Sequence, residues 1–102
     1  GSRIVKTYTC SAGSGPDGIS FDAAGNLYVA MAFSGQIDKF TADGELTEFY
    51  KLESASETVG GARGVFDCAV HPSGKLIAFS SACADENYAM ANDTGSITIL
   101  EL

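Results

Sequence analysis

The sequence has no tryptophan, one histidine, two prolines, three cysteines, and only six lysines and arginines against thirteen acidic residues. The formal net charge is −7 and no basic cluster is present, which argues against nucleic-acid or anionic-membrane partners, because phosphate contact needs concentrated positive charge. No apolar run approaches the ~20 residues of a membrane-spanning helix. With 45% hydrophobic and 19% charged residues, the composition is that of a core-forming chain and not of a disordered acidic tail.

The cysteines are too few and too widely spaced for a disulfide scaffold or a zinc site. Cys10, Cys68 and Cys83 show no C-x-x-C spacing, and His71 is the single histidine. Cys68 lies in an apolar run, where a buried thiol acts as a small hydrophobic side chain. We therefore expect three reduced thiols and a cytoplasmic protein, with an exported form as the alternative.

Short apolar segments separated by turn signals predict an all-β chain. The expected strands cover residues 3–9, 18–22, 27–32, 36–41, 46–52, 65–71, 76–81 and 96–102. Three of the twelve glycines, Gly25, Gly44 and Gly74, stand in tight-turn sequences at positions where a positive φ is tolerated. No window of a dozen residues keeps a helical period.

The segments repeat along the chain. Three pairs align: Gly25 with Gly74, Leu27 with Leu76, and Gly35 with Gly95. The offset is 49 for the first two pairs (74 − 25) and 60 for the third (95 − 35), so the second copy carries 60 − 49 = 11 extra residues within 82–94. A unit of about 50 residues with four short antiparallel strands is typical of a β-propeller blade. A small β-sandwich has similar strand spacing but does not readily explain the repeat.

The expected architecture is two four-stranded antiparallel blades per chain, completed to a closed β-propeller by oligomerisation. Residues 1–2 are interpreted as a cloning remnant, 15–52 as the first blade and 63–102 as the second blade with its inserted loop 82–94. Residues 3–9 are expected to form the outer strand of a neighbouring blade. A head-to-tail contact that closes by rotation joins the copies. A homotrimer with six blades is preferred, and a tetramer with eight is the alternative.

Residues 15–30, GPDGISFDAAGNLYVA, with Gly35-Gln36-Ile37 and Asp43-Gly44 further on, resemble the regucalcin–gluconolactonase (senescence marker protein-like) family. The second copy looks like the last blade of that family, and the likeness covers about a third of a family member's length. The resemblance implies a six-bladed propeller that hydrolyses sugar lactones and related esters with one divalent metal ion.

The resemblance implies that Asp17, the aspartate of the P-D-G motif, is a metal ligand at the mouth of the central channel. The other family ligands, a glutamate and asparagines on earlier blades, have no counterpart in this sequence. Asp17 is also the one residue nominated for catalysis, because a carboxylate at the metal orients or deprotonates a water molecule. The alternative is a turn residue that closes the loop before the strand.

Asp67 is the second candidate ligand, because a carboxylate in an inner strand must face the channel or be paired. The candidate metals are Ca²⁺, Zn²⁺, Mg²⁺ and Mn²⁺. Asp22 and His71 occupy matching positions before tight turns, where capping is the expected role and catalysis by His71 is the alternative. The acidic stretch 85–93 lacks the spacing of a calcium loop and is interpreted as solvated.

Two functions remain open from the sequence. The first is a metal-dependent lactone or ester hydrolase with its site at the propeller axis. The second is a non-catalytic, self-assembling propeller fragment that acts as a binding or scaffold module. A small-molecule ligand is compatible with both, and the sequence does not decide whether the chain is an enzyme.

Overall fold

The computed structural model describes residues 2–10, 15–51, 63–83 and 95–102, and these form an all-β structure. The strands are β1 (Pro16–Phe21), β2 (Leu27–Met31), β3 (Gln36–Phe40), β4 (Leu46–Lys51), β5 (Arg63–Val70), β6 (Leu76–Cys83) and β7 (Ser96–Glu101). In the described part of the chain, no helix is long and apolar enough to span a membrane. Residues 84–94, most of the expected insertion, lie outside the described residues.

The strands form two antiparallel sheets in chain order, β1-β2-β3-β4 and β5-β6-β7. The expected turns are confirmed: Gly25, Gly44 and Gly74 adopt φ values of 88°, 89° and 75°, which only glycine takes without strain. Among the described residues the first sheet has four strands and the second has three, the numbers expected for the two copies within one chain.

Residues 3–9 form no strand within the chain, and their expected pairing with a neighbouring blade stays a prediction. A strand needs a free sheet edge to pair with, and the segment instead crosses one face of the first sheet. The ring of Tyr8 lies 4.8 Å from that of Phe40, between ring centroids. Tyr8 and Cys10 thus cover part of the apolar surface formed by Leu27, Val29, Met31 and Phe40.

The two sheets repeat each other residue by residue, with one correction to the expected alignment. Phe21 pairs with Leu27 in the first sheet, and Val70 pairs with Ile77 in the second. The first strands of the sheets are offset by 49 (70 − 21), but the second strands are offset by 50 (77 − 27). The expected match of Leu27 with Leu76 is therefore wrong by one residue, because the second turn holds one more residue after its glycine. The third strands keep the expected offset of 60, since Phe40 and Leu100 pair with Leu27 and Ile77.

Each sheet has two faces, because successive side chains of a strand alternate. We call the face of the first sheet that carries Ser20, Tyr28, Ala30 and Ile37 its front face; the matching residues of the second sheet are Ala69, Ala78, Ser80 and Ile97. The rear faces carry the alternate residues. The main core forms where the rear face of the second sheet packs on the front face of the first, with Tyr28, Ala30, Ile37, Val65, Cys68, Ile77 and Phe79 buried.

Candidate functional site

The candidate site lies at the inner strands β1 and β5, which pack side by side where the two sheets meet. Both strands carry a β-bulge near their start, between Pro16 and Ile19 in β1 and between Val65 and Asp67 in β5. Bulges re-aim side chains and are common beside functional sites. Asp17 lies in the first bulge, where the regular pairing of β1 with β2 is interrupted.

Asp17 is exposed, and the loop that leads to it is fixed from behind. The carbonyl oxygen of Gly15 accepts a hydrogen bond from the backbone N–H of Ala32 at 2.8 Å. Gly15 has φ 64°, and the ring of Phe33 occupies the place where a Cβ atom would stand. This packing fixes the backbone that presents Asp17 to solvent at the start of β1.

Asp67 is also exposed and lies directly against β1. A Cβ atom on Gly18 would stand 2.5 Å from Asp67 Cα, so only a glycine allows this approach. One oxygen of the Asp67 carboxylate, Oδ1, accepts a hydrogen bond from the backbone N–H of Cys68 at 2.9 Å. The structure thus brings the second candidate next to the residue that follows Asp17, on two neighbouring inner strands.

Two carboxylates do not make a metal centre. A hard divalent cation such as Ca²⁺ binds six to eight oxygen atoms. Within residues 2–10, 15–51, 63–83 and 95–102, no three or more His, Cys, Asp or Glu side chains are grouped so that they could hold a metal ion. The described residues alone therefore do not fit the metal that the family resemblance implies.

The turn residues have the capping role expected from their positions. Oδ1 of Asp22 accepts hydrogen bonds from the backbone N–H groups of Ala24 and Asn26, and Oδ2 accepts them from the Asn26 amide and the Tyr28 hydroxyl. Partial burial alone would raise the pKa of Asp22, but these hydrogen bonds outweigh it and hold the pKa below its usual value. Burial, together with the same carboxylate, raises the pKa of Tyr28 to about 12.

His71 repeats this arrangement in the second sheet. Its Nδ1 atom accepts a hydrogen bond from the backbone N–H of Ser73 at 3.1 Å. This hydrogen bond stabilises the turn after β5. His71 lies at the opposite end of β5 from the bulge at Asp67. The two turn residues therefore serve the scaffold.

A buried carboxylate was missed by the sequence analysis. Asp38 is 2% exposed, and the side-chain amide of Gln36 donates a hydrogen bond to its Oδ1 at 2.6 Å. Asp38 pairs with Val29, which places it on the rear face of the first sheet, away from Asp67. Burial, together with this carboxylate, raises the pKa of the Cys10 thiol above its usual value. Asp38 is thus separate from the pair at the inner strands.

The comparisons with known proteins concern the family and the fold. The SMP-30/gluconolactonase/LRE-like region matches residues 2–63, which include the segment before β1, the first sheet and Asp17. The second sheet lies almost wholly beyond that match, so its likeness to the last blade of the family stays a prediction. No curated protein matches the chain significantly.

Two solved structures share the fold. The PQQ-bound aldose sugar dehydrogenase of Streptomyces coelicolor superposes with a TM-score of 0.60 at 18% identity, over 97% of this chain and 33% of that protein. A streptogramin B lyase superposes with a TM-score of 0.54 at 19% identity, over 93% of this chain and 29% of that protein. At such identities the likeness shows the fold alone, a β-propeller, and the chain spans about a third of the length of these structures. Since the family match covers more than half of its residues, the chain belongs to the SMP-30/gluconolactonase/LRE-like family.

Proposed function

We propose that the chain is a unit of a lactone- or ester-hydrolysing β-propeller and that Asp17 supplies one carboxylate to a site at the propeller axis. The observation that carries the proposal is the position of Asp17. Its side chain is exposed within the bulge that opens the inner strand, in the segment that matches the family. An exposed carboxylate held on a rigid strand is suited to accept a proton from a water molecule that attacks an ester carbon.

Asp67 is proposed as the second carboxylate of the same site. It is exposed and borders Gly18, so both acidic groups belong to the edge where β1 and β5 meet. Because these two groups alone do not form a metal shell, further oxygen atoms would have to come from other inner strands. We therefore assign no step of the reaction to a metal ion in this chain.

The test measures hydrolysis of a six-membered sugar lactone and of a p-nitrophenyl ester, with Ca²⁺, Zn²⁺, Mg²⁺ or Mn²⁺ present. We expect wild-type turnover and a loss of about 10²-fold or more in Asp17→Asn, the usual range for a general base. The matched control is Asp43→Asn, which removes the same charge from the exposed β3–β4 turn and should stay within about twofold. Equal rates in all three proteins, or no turnover in any, would contradict the proposal.

The second candidate is a non-catalytic binding or scaffold unit. It is favoured by the finding that the described residues gather no cluster of three or more metal-ligating side chains. Calorimetric titration of the four cations separates the candidates without relying on activity. Cation binding that weakens in Asp17→Asn favours the hydrolase, whereas a folded protein with neither cation binding nor turnover favours the scaffold.

A further inference from the structure

We propose that a second copy of this chain docks head to tail on the front face of the second sheet and adds its N-terminal segment, residues 2–10, to the free edge of β7. The docking surface is the front face that carries Ala69, Ala78, Ser80, Ile97 and Ile99. The occupant is the rear face of the first sheet of another copy. This assembly rests on the packing of the sheets and does not depend on the hydrolysis proposed above.

The front faces of the two sheets are equivalent, but within the described part of the chain only that of the first sheet is covered. Ile37 and Ile97 occupy the same position, the third strand opposite Ala30 and Ser80 respectively. Ile37 is 0% exposed beneath the second sheet, whereas Ile97 is 71% exposed. Ile99, next along the same face, is exposed as well. Ile97 and Ile99 form an exposed row of β-branched apolar side chains, and Ile97 has the position of a core residue of the first sheet. Such a row indicates an interaction surface.

The complementary half of that contact lies at the opposite end of the same chain. Ile19 and Phe21 on the rear face of β1 match Cys68 and Val70 of β5. Cys68 is 5% exposed because it packs on the first sheet, whereas Ile19 is 60% exposed and Phe21 is exposed to a similar degree. One chain therefore carries both halves of an inter-sheet contact that it forms only once. Such a self-complementary pair of different surfaces is what a head-to-tail assembly requires.

The N-terminal segment would provide a fourth strand for the second sheet, which has three among the described residues. Tyr50 of β4, the outer strand of the first sheet, reaches over the rear face of the second sheet, with 5.6 Å between the ring centroids of Tyr50 and Phe79. Tyr8 covers the rear face of the first sheet in the same manner, through Phe40. Residues 2–10 therefore lie against the first sheet as β4, the outer strand of the first sheet, lies against the second. Ile4 and Val5 within it are strongly exposed.

The edge that such a strand would join is present on β7. Among the described residues β7 pairs only with β6, so its outer N–H and C=O groups face no strand. An open apolar edge invites strand addition. Pairing of residues 3–9 with β7 of another copy would give the second sheet four strands, like the first.

Along the inner strands, the new contact differs from the internal one at the position of Gly18. On the second sheet, Asp67 occupies the position that Gly18 has on the first. In the internal contact Gly18 has no side chain and leaves room for the neighbouring strand, whereas the side chain of Asp67 would fill that room in the proposed contact. The inner strands of two copies must therefore lie farther apart there than β1 and β5 do. A shallow hollow of about 190 Å³, lined by Asp67, Ala69, Ala78 and Ile97 among others, lies at this place on the front face.

The test uses two blocked variants, each of which carries a charge on one of the two contact surfaces and so prevents docking there. Phe21→Lys places a charge on the rear face of the first sheet, and Ile97→Lys places one on the front face of the second. Both side chains are exposed in the chain, so neither change disturbs its core. Phe33→Lys, in the exposed β2–β3 turn, is the matched control.

Native mass spectrometry is expected to show oligomers for the wild type and the control, and single chains for each of the two blocked variants. An equimolar mixture of Phe21→Lys and Ile97→Lys should form a one-to-one dimer, because each supplies the half that the other lacks. The proposal would be overturned if the wild type remained a single chain, if either blocked variant formed oligomers, or if the mixture formed no dimer. The readout is mass and not turnover, so a failed hydrolysis assay leaves this result interpretable.

Discussion

Asp67 fills the space that the missing side chain of Gly18 leaves on the neighbouring inner strand. A Cβ atom on Gly18 would stand 2.5 Å from Asp67 Cα, closer than Cβ atoms approach the non-bonded atoms of another strand. This contact joins the first strands of the two sheets and fixes where the two candidate carboxylates lie. The stability of the pair of sheets and the geometry of the site therefore depend on the same glycine.

Gly18→Ala is expected to destabilise the protein by about 1–3 kcal/mol, since the backbone of β5 must move to admit the added methyl group. The measurement is the free energy of unfolding in urea. Gly95→Ala is the matched control, because a Cβ atom at Gly95 would meet nothing within 4 Å. A loss in Gly18→Ala no larger than in Gly95→Ala would show that β1 and β5 do not approach so closely.

Asp22→Asn is expected to lower the free energy of unfolding at pH 7 by about 1 kcal/mol, because a neutral amide is a weaker acceptor than the carboxylate for the bonds from Asn26 and Tyr28. The pKa of Asp22 is lowered in the folded state. Its stabilising contribution is therefore full above the unfolded pKa of about 3.9 and is lost as the pH falls through the folded pKa.

The measurement is urea unfolding of the wild type and Asp22→Asn at several pH values between 7 and 2. The difference in free energy of unfolding should shrink once the pH falls below about 4. Asp43→Asn removes an equal charge from another turn and serves as the control. A difference that stays constant down to pH 2 would contradict the role of the Asp22 carboxylate as a charged acceptor.

Cys68 is expected to resist alkylation in the folded protein. Burial, with Asp67 nearby, raises the pKa of its thiol to about 11, so only about one thiol in a thousand is ionised at pH 8. Iodoacetamide labelling followed by peptide mass spectrometry should modify the half-buried Cys10 before Cys68, and Cys68 at a normal rate only in urea. Labelling of Cys10 and Cys68 at one rate in the folded state would contradict the buried position of Cys68.

The sequence predicted the seven strands β1–β7 and the turns between paired strands, because each depends on local chemistry, whereas the strand expected at residues 3–9 is not formed within the chain. Gly25, Gly44 and Gly74 mark the turns with positive φ, and the apolar segments between them form the strands. The register was harder to predict. The two turn glycines align at an offset of 49, but in the strand after the second turn the residue paired with the preceding strand comes one residue later, since hydrogen bonding between strands and not the turn sequence sets the pairing.

The candidate site was predicted only in part. Asp17 stands out through the P-D-G motif and Asp67 through its charge in an apolar strand, but neither signal indicates that Gly18 brings the strands together. Asp38 was missed because the alternation in Gln36–Phe40 is typical of a strand with one solvated face. In the structure both faces of β3 are covered, one by the second sheet and one by residues 2–10.

The most direct measurement is the mass of the wild-type chain in solution by multi-angle light scattering over a wide range of concentrations. Head-to-tail contact between two-sheet units predicts a closed ring, and six blades correspond to three times the mass of one chain. Four times that mass would indicate an eight-bladed ring built by the same contact. A folded protein with the mass of a single chain at all concentrations would contradict the claim that the exposed faces of Ile97 and Phe21 are two halves of one interface.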